Sequence, residues 1–99
     1  PDRVTAIFAS SDMAAFGVMR AAADLGIDVP SQLSVVGFDD IPEAARVNPA
    51  LTTVRQPLRE MGRVAVDQLL GRLHDPSRPA SRVVLDTELI LRGTTAPPP

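Results

Sequence analysis

The chain has 99 residues, of which 12 are acidic, 10 are basic and one is histidine, and it contains no cysteine. This length allows one small domain at most, and the lack of cysteine excludes a disulfide scaffold, a thiolate metal site and cysteine catalysis. No apolar run reaches the roughly 18 to 20 residues that span a bilayer, and the N-terminus lacks the layout of a signal peptide. A net charge of −2 argues against nucleic-acid binding by this segment alone, since phosphate binding needs a basic surface.

The first half of the chain has the pattern of a βαβ unit. The apolar run at residues 4–9 predicts a strand buried on both faces, and residues 33–38 predict a second one. Between them, residues 13–25 predict an alanine-rich helix that ends at Gly26. Apolar stripes on two sides of this helix predict packing against the sheet and against a second surface, either another helix or a subunit. The two strands are expected to be parallel, with a right-handed crossover.

The second half contains a longer amphipathic helix. Residues 41–47 predict a loop or a short helix, and residues 51–54 predict a short strand. Pro57 opens a helix that runs to about Leu73, because proline suits the first helical turn. Its apolar residues recur at helical spacing and form one stripe: Leu58, Met61, Gly62, Ala65, Leu69 and Leu73.

The remainder of the chain predicts two short strands, at residues 82–86 and 88–91, followed by a frayed tail from Gly93 onward. His74, the single histidine, is expected at the end of the helix, either near its terminal carbonyls or in solvent.

Polar side chains follow each of the first three predicted strands. Ligands of open parallel sheets bind beyond the carboxyl ends of the strands, so these residues are the candidate site. A carboxylate there can accept two hydroxyl hydrogen bonds at once, which suits a sugar or a ribose. The residues concerned are Ser10, Ser11 and Asp12 after the first strand, Asp39 and Asp40 after the second, and Arg55 and Gln56 after the third.

Purely structural roles explain several of the same residues. Asp12 can serve as a helix-capping anion, Asp40 can cap the following turn, and Gln56 can cap the helix that Pro57 opens. Catalytic patterns are lacking, because the sequence has no G-x-S-x-G, P-loop, G-x-G-x-x-G or H-E-x-x-H motif. Asp39 and Asp40 are adjacent, so they would point apart in an extended chain. The residues favour recognition over bond breaking, and an α/β enzyme is the least favoured interpretation.

Three motifs in combination carry a family resemblance. They are S-V-V-G-F-D-D at residues 34–40, L-T-T-V-R-Q-P at residues 51–57 and E-L-x-x-R-G at residues 88–93. From about residue 6 to residue 95 the chain resembles the C-terminal part of LacI/GalR-family transcription regulators. The resemblance implies an α/β fold, a partial type I periplasmic-binding-protein-like fold with a parallel β-sheet core flanked by helices. It also implies two lobes that close on a small molecule.

The resemblance implies how the chain divides between those lobes. Residues 1–54 would form the βαβ portion of the C-terminal lobe, residues 55–80 the crossover and a helix of the other lobe, and residues 81–99 the returning strands and tail. The apolar stripe of that helix would then lack its family partner surface. We expect the chain by itself to self-associate, with a swap of this helix as one route, and to bind effector weakly or not at all.

The same resemblance assigns roles to individual residues. Asp39 matches the family carboxylate that binds hydroxyls of a sugar or nucleoside, and Gln56 matches a cleft position at the crossover. Ser11 stands where the family commonly has an asparagine that contacts the ligand, and its side chain is shorter. Phe16 and Val47 match positions that help form the dimer interface.

The function implied is sensing of a small effector, a sugar or nucleoside, by a homodimeric or larger DNA-binding regulator in the cytoplasm. DNA would be contacted only through an N-terminal helix-turn-helix headpiece upstream of Pro1. No enzyme activity, cofactor, metal or membrane partner is expected. The alternative is a sugar-binding protein of a periplasmic transport system, and the sequence upstream would distinguish the two through a headpiece or a signal peptide.

Overall fold

The structure is a computed structural model that describes residues 3–99, and within it the chain divides into two units. The first unit contains the residues up to Gln56 together with Glu88–Pro99, and the second contains Pro57–Thr87. The chain therefore leaves the first unit after Gln56 and returns to it at Glu88.

A parallel βαβ arrangement forms the first part of the first unit. Strand β1 (Ala6–Phe8) pairs in parallel with β2 (Ser34–Val36), and helix α1 (Asp12–Asp24) lies between them in sequence and packs on β2. The predicted βαβ unit with parallel strands is confirmed. Gly26 adopts a φ of +70°, the left-handed conformation that glycine accepts without strain, and it follows the end of α1 as expected.

Two further strands extend the first unit beyond β2. Strand β3 (Thr53–Arg55) lies parallel to the end of β2 and the residues that follow it. Two isolated bridges connect these segments, and one of them pairs Asp39 with Arg55. Strand β4 (Glu88–Ile90) pairs with β3 in antiparallel register. A short 3-10 helix, Pro42–Ala45, fills the connection between β2 and β3. The residues just before and just after the second unit are therefore hydrogen-bonded neighbours.

The core of the first unit is aliphatic, as the composition predicts. Ala15 and Ala22 are buried, whereas Leu25 is 75% exposed. The prediction that the first strand is buried on both faces is wrong, because Phe8 on β1 is 68% exposed. The buried apolar residues are Ala9, Ala15, Ala22, Leu33, Val35, Ala44 and Leu51.

The predicted frayed tail is docked instead along β2. Thr94 is fully buried; its hydroxyl donates to the Val35 carbonyl at 2.7 Å and accepts from the Thr52 N–H at 2.9 Å. The Val35 N–H donates in turn to the Thr94 carbonyl at 2.8 Å, and the Ala96 N–H donates to the Ser34 hydroxyl at 3.1 Å. The tail is ordered because it satisfies backbone and hydroxyl groups of β2 and of Thr52, just before β3, that would otherwise be buried without partners.

The second unit is built on helix α2 (Leu58–His74), which begins directly after Pro57 as predicted. No residue of α2 is buried, so its apolar stripe is exposed, and His74 is its exposed last residue. The prediction of a strand at residues 82–86 is wrong, because these residues are irregular and the pairing with β3 involves only Glu88–Ile90.

Neither α1 nor α2, the long helices of residues 3–99, has the length and apolar character needed to cross a membrane. A shallow cavity of about 290 Å³ lies between α2 and the irregular segment, lined by Met61, Val64, Ala65, Val83 and Leu85.

Candidate functional site

The structure brings two of the predicted ligand residues, Asp39 and Gln56, into direct contact. The Gln56 amide donates from Nε2 to Oδ1 of Asp39 at 2.7 Å, and the Asp39 N–H donates to the Val54 carbonyl at 2.9 Å. Both residues are partly buried and follow neighbouring strands that run in the same direction. The alternative role of Gln56 as a helix cap is wrong, because α2 is capped by Pro57 without a side-chain hydrogen bond.

The backbone at Asp39 and Asp40 is strained. Their φ angles are +133° and +64°, in the region that residues with a side chain rarely adopt. Each such residue costs on the order of 1–3 kcal/mol and persists only where its surroundings hold it. Asp is one of the few side chains that tolerates the left-handed region near +60°, which is one physical reason for an aspartate at position 40. Strain of this kind concentrates at binding and catalytic sites.

Asp40 is held by two arginines. Its Oδ2 accepts from Arg55 Nε at 2.7 Å and its Oδ1 lies 2.8 Å from Arg92 Nη2, while Arg92 Nη1 donates to the Leu51 carbonyl at 3.0 Å. The carboxylate is only 8% exposed and the Arg92 side chain 16%, whereas Arg55 is 50% exposed. The alternative role of Asp40 as a cap of the next turn is wrong, since the 3-10 helix has no side-chain cap. Asp40 therefore links the turn that follows β2 to Arg55 on β3 and to Arg92 just after β4.

The electrostatics of this cluster keep Asp40 ionised. Burial acts to raise the pKa of Asp40, but the hydrogen bonds and charges of Arg55 and Arg92 outweigh it, so the pKa lies below its ordinary value. Conversely, the hydrogen bond to Asp40 and the charge of that carboxylate raise the pKa of Arg55. Both carboxylate oxygens of Asp40 are therefore committed to the two arginines.

The residues that follow β1 are used locally. Ser11 is the N-cap of α1, and its hydroxyl oxygen accepts from the Ala14 N–H at 3.1 Å. The N-cap is therefore Ser11, and Asp12 is the first helical residue, where its negative charge suits the helix N-terminus. Asp12 is fully buried, and its carboxylate accepts from the Thr53 hydroxyl at 2.5 Å and from the Ile41 N–H at 2.8 Å.

Phe16 and Val47, the residues assigned to a dimer interface, both lie in the first unit. Each is partly buried and packs against the aliphatic core while keeping part of its side chain exposed. Their role between subunits stays a prediction.

Two residues that hold the aspartates of the site are not marked by the sequence patterns. Arg92 and Thr53 were not singled out, although both lie inside the quoted motifs, as the arginine of E-L-x-x-R-G and the second threonine of L-T-T-V-R-Q-P. The signal for Arg92 is chemical: an arginine guanidinium beside a returning strand can form an ion pair with one of two consecutive aspartates.

Comparison with known proteins shows the family of the chain. Residues 1–95 match the family described as the periplasmic binding protein-like domain. The chain superposes with a TM-score of 0.90 and 37% identity on a LacI family transcriptional regulator from Enterococcus faecalis V583 with bound ribose, covering 96% of this chain and 36% of that one. The chain belongs to the LacI/GalR family. The predicted periplasmic-binding-protein-like fold is confirmed.

Two other relatives show the same relationship. The HTH-type transcriptional regulator MalR of Streptomyces coelicolor is 50% identical over 95 residues, which is 96% of this chain and 28% of that protein. The lac repressor dimer bound to operator and the anti-inducer ONPF has a TM-score of 0.83 at 36% identity, over 92% of this chain and 32% of that one. The chain thus spans about a third or less of the length of these LacI-family relatives.

Proposed function

We propose that this chain is part of the effector-sensing domain of a DNA-binding transcription regulator, and that its site binds a sugar or a nucleoside. The observation that carries the proposal is the hydrogen-bonded pair of Asp39 and Gln56 at the carboxyl ends of β2 and β3. Further support comes from the relatives, since one is an HTH-type transcriptional regulator and another holds ribose. Their names favour a regulator over a transport protein.

The chemistry of the pair suits a ligand with neighbouring hydroxyls. Gln56 holds one oxygen of Asp39, and the carboxylate has further lone pairs for ligand hydroxyl groups. Because the Asp39 main chain is fixed by the Val54 carbonyl, the carboxylate is positioned before the ligand arrives, which lowers the entropic cost of binding.

Ser11 is the third proposed contact. Its oxygen accepts from Ala14, and its hydroxyl proton remains available to donate to a ligand. Serine has a shorter reach than the asparagine common in the family, so a ligand contacted by Ser11 would lie close to the N-terminus of α1.

The remaining features fit a two-lobed dimeric sensor. The division of the chain after Gln56 supports the assignment of residues 55–80 to the crossover and the other lobe of the whole domain. Phe16 and Val47 would contribute to a homodimer, as the dimeric state of the lac repressor relative suggests. Operator DNA would be read by a headpiece elsewhere in the protein, which would work in the cytoplasm without a catalytic step.

The test is isothermal titration of the full-length regulator with D-ribose, maltose, cellobiose and adenosine as probes. For the probe that binds, Asp39→Ala should weaken affinity by about 1–3 kcal/mol, the cost of leaving buried hydroxyls unpaired. Asp24→Ala, which changes an exposed carboxylate of α1, is the matched control and should bind normally. Equal affinities for Asp39→Ala and the control would refute the assignment.

A further inference from the structure

The turn that carries Asp39 and Asp40 is pinned on both sides by one residue, Asp12. The Asp12 N–H donates to the Phe38 carbonyl at 3.0 Å, and Oδ2 of Asp12 accepts from the Ile41 N–H at 2.8 Å. Only the two strained residues lie between these contacts. The main chain and the side chain of Asp12 thus close a ring around the strained pair.

Asp12 is itself held firmly. Its side chain is fully buried, and Oδ1 accepts from the hydroxyl of Thr53 on β3. As the first residue of α1 it lies at a helix N-terminus, where the helix dipole favours a negative charge. Because Thr53 immediately precedes Val54, whose carbonyl receives the Asp39 N–H, the Asp12 carboxylate also keeps the turn in register with β3.

Gly37 makes room for this carboxylate. A Cβ at position 37 would collide with Oδ1 of Asp12 and would lie 2.9 Å from Leu51 Cδ2. The backbone just before the turn can therefore approach Asp12 only because residue 37 has no side chain.

We propose that Asp12 is a positioning residue for Asp39. It holds residues 38–41 in the strained turn, and so aims the Asp39 carboxylate at Gln56 and at the effector, without touching the effector itself. Its consequence for ligand affinity rests on the proposed function, whereas its control of the turn does not.

Amide hydrogen exchange of the intact 99-residue chain by NMR tests the turn directly. Asp12→Asn keeps the shape of the side chain and removes its charge, while Ala22→Gly weakens the same helix from its buried face and serves as the control. Relative to that control, exchange of the Ile41 and Asp39 amides should accelerate about ten- to a hundred-fold in Asp12→Asn, the range for hydrogen bonds to charged groups. Acceleration no greater than in Ala22→Gly would overturn the proposal.

A second pair of variants covers the case in which Asp12→Asn does not fold. Thr53→Val removes the hydroxyl that holds Oδ1 and keeps the shape, whereas Thr53→Ser retains the hydroxyl. Faster exchange at Ile41 and Asp39 in the valine variant alone supports the proposal, and equal exchange in both variants overturns it.

Ligand affinity gives a separate measurement in the full-length regulator. With whichever of D-ribose, maltose, cellobiose and adenosine binds the unmodified regulator, Asp12→Asn should weaken binding about tenfold relative to Ala22→Gly, and an unchanged affinity would overturn the effect on the effector. If the unmodified regulator binds none of the sugars or the nucleoside, the proposed function fails, and the exchange experiment still decides whether Asp12 holds the turn.

Discussion

The Asp40–Arg92 pair should make a large and pH-dependent contribution to stability. Asp40→Asn keeps the side-chain volume and removes the charge that Arg92 and Arg55 meet. The contact with Arg92 is mostly buried, and a charge-assisted hydrogen bond of this kind contributes about 1.5–3 kcal/mol. Arg55 is half exposed, so its share should be small. We therefore expect Asp40→Asn to lower the free energy of unfolding at neutral pH by about 1.5–3 kcal/mol.

The pH dependence follows from the lowered pKa of Asp40. The carboxylate titrates at about its ordinary value of 3.8 in the unfolded chain and at a lower pH in the folded chain. Its stabilising contribution is therefore complete above the ordinary value and is lost as the pH falls through the folded pKa. Asparagine does not titrate, so the stability difference between the parent chain and Asp40→Asn should shrink as the pH is lowered below 3.8.

Urea unfolding followed by far-UV circular dichroism at neutral and acidic pH measures this difference. Asp24→Asn is the control, because it removes a carboxylate whose partner, Arg20, is exposed on the same helix. That pair should contribute little at either pH. A loss of stability in Asp40→Asn no larger than in Asp24→Asn, or a stability difference that stays constant as the pH falls below 3.8, would show that the buried ion pair does not stabilise the fold.

Three further changes test other parts of the account. Gly37→Ala should lower the free energy of unfolding by about 1–3 kcal/mol, because the added methyl overpacks the space beside Asp12 and Leu51; the urea midpoint reports it, and an unchanged midpoint would argue against the close approach. Ser11→Ala should cost about 0.5–2 kcal/mol through loss of the N-cap, measured in the same way, and no loss would mean that the Ala14 contact is not made in solution. The exposed apolar stripe of α2 should cause self-association, and Leu69→Glu should reduce the mass found by light scattering at high concentration; a monomer before the change would contradict this.

The parts of the fold that could be predicted depend on short-range signals. The apolar runs with a capped, alanine-rich segment between them were sufficient for the parallel βαβ unit, because capping and termination act within a few residues. Pro57 likewise marked the start of α2. The rule that ligands bind beyond the carboxyl ends of parallel strands placed Asp39 and Gln56 in one candidate site, and in the structure the two side chains are hydrogen-bonded.

What could not be predicted depends on pairing between distant segments. The tail near Thr94 contains small and polar residues and reads as frayed, yet it is ordered by hydrogen bonds to a strand about 60 residues away. Residues 82–86 have the composition of a strand but no partner among the described residues, so they remain irregular. The sequence around Asp40 suggests a cap of the next turn, because its two arginine partners are distant in sequence and reach it only in the folded chain.

A crystal structure of the full-length regulator with its best-binding probe would show whether Asp39 and Gln56 recognise the hydroxyl groups of an effector. We expect an Asp39 carboxylate oxygen within hydrogen-bonding distance, about 2.5–3.0 Å, of a ligand hydroxyl, with Gln56 beside it. A ligand bound elsewhere, with the Asp39–Gln56 pair left in solvent, would contradict this expectation.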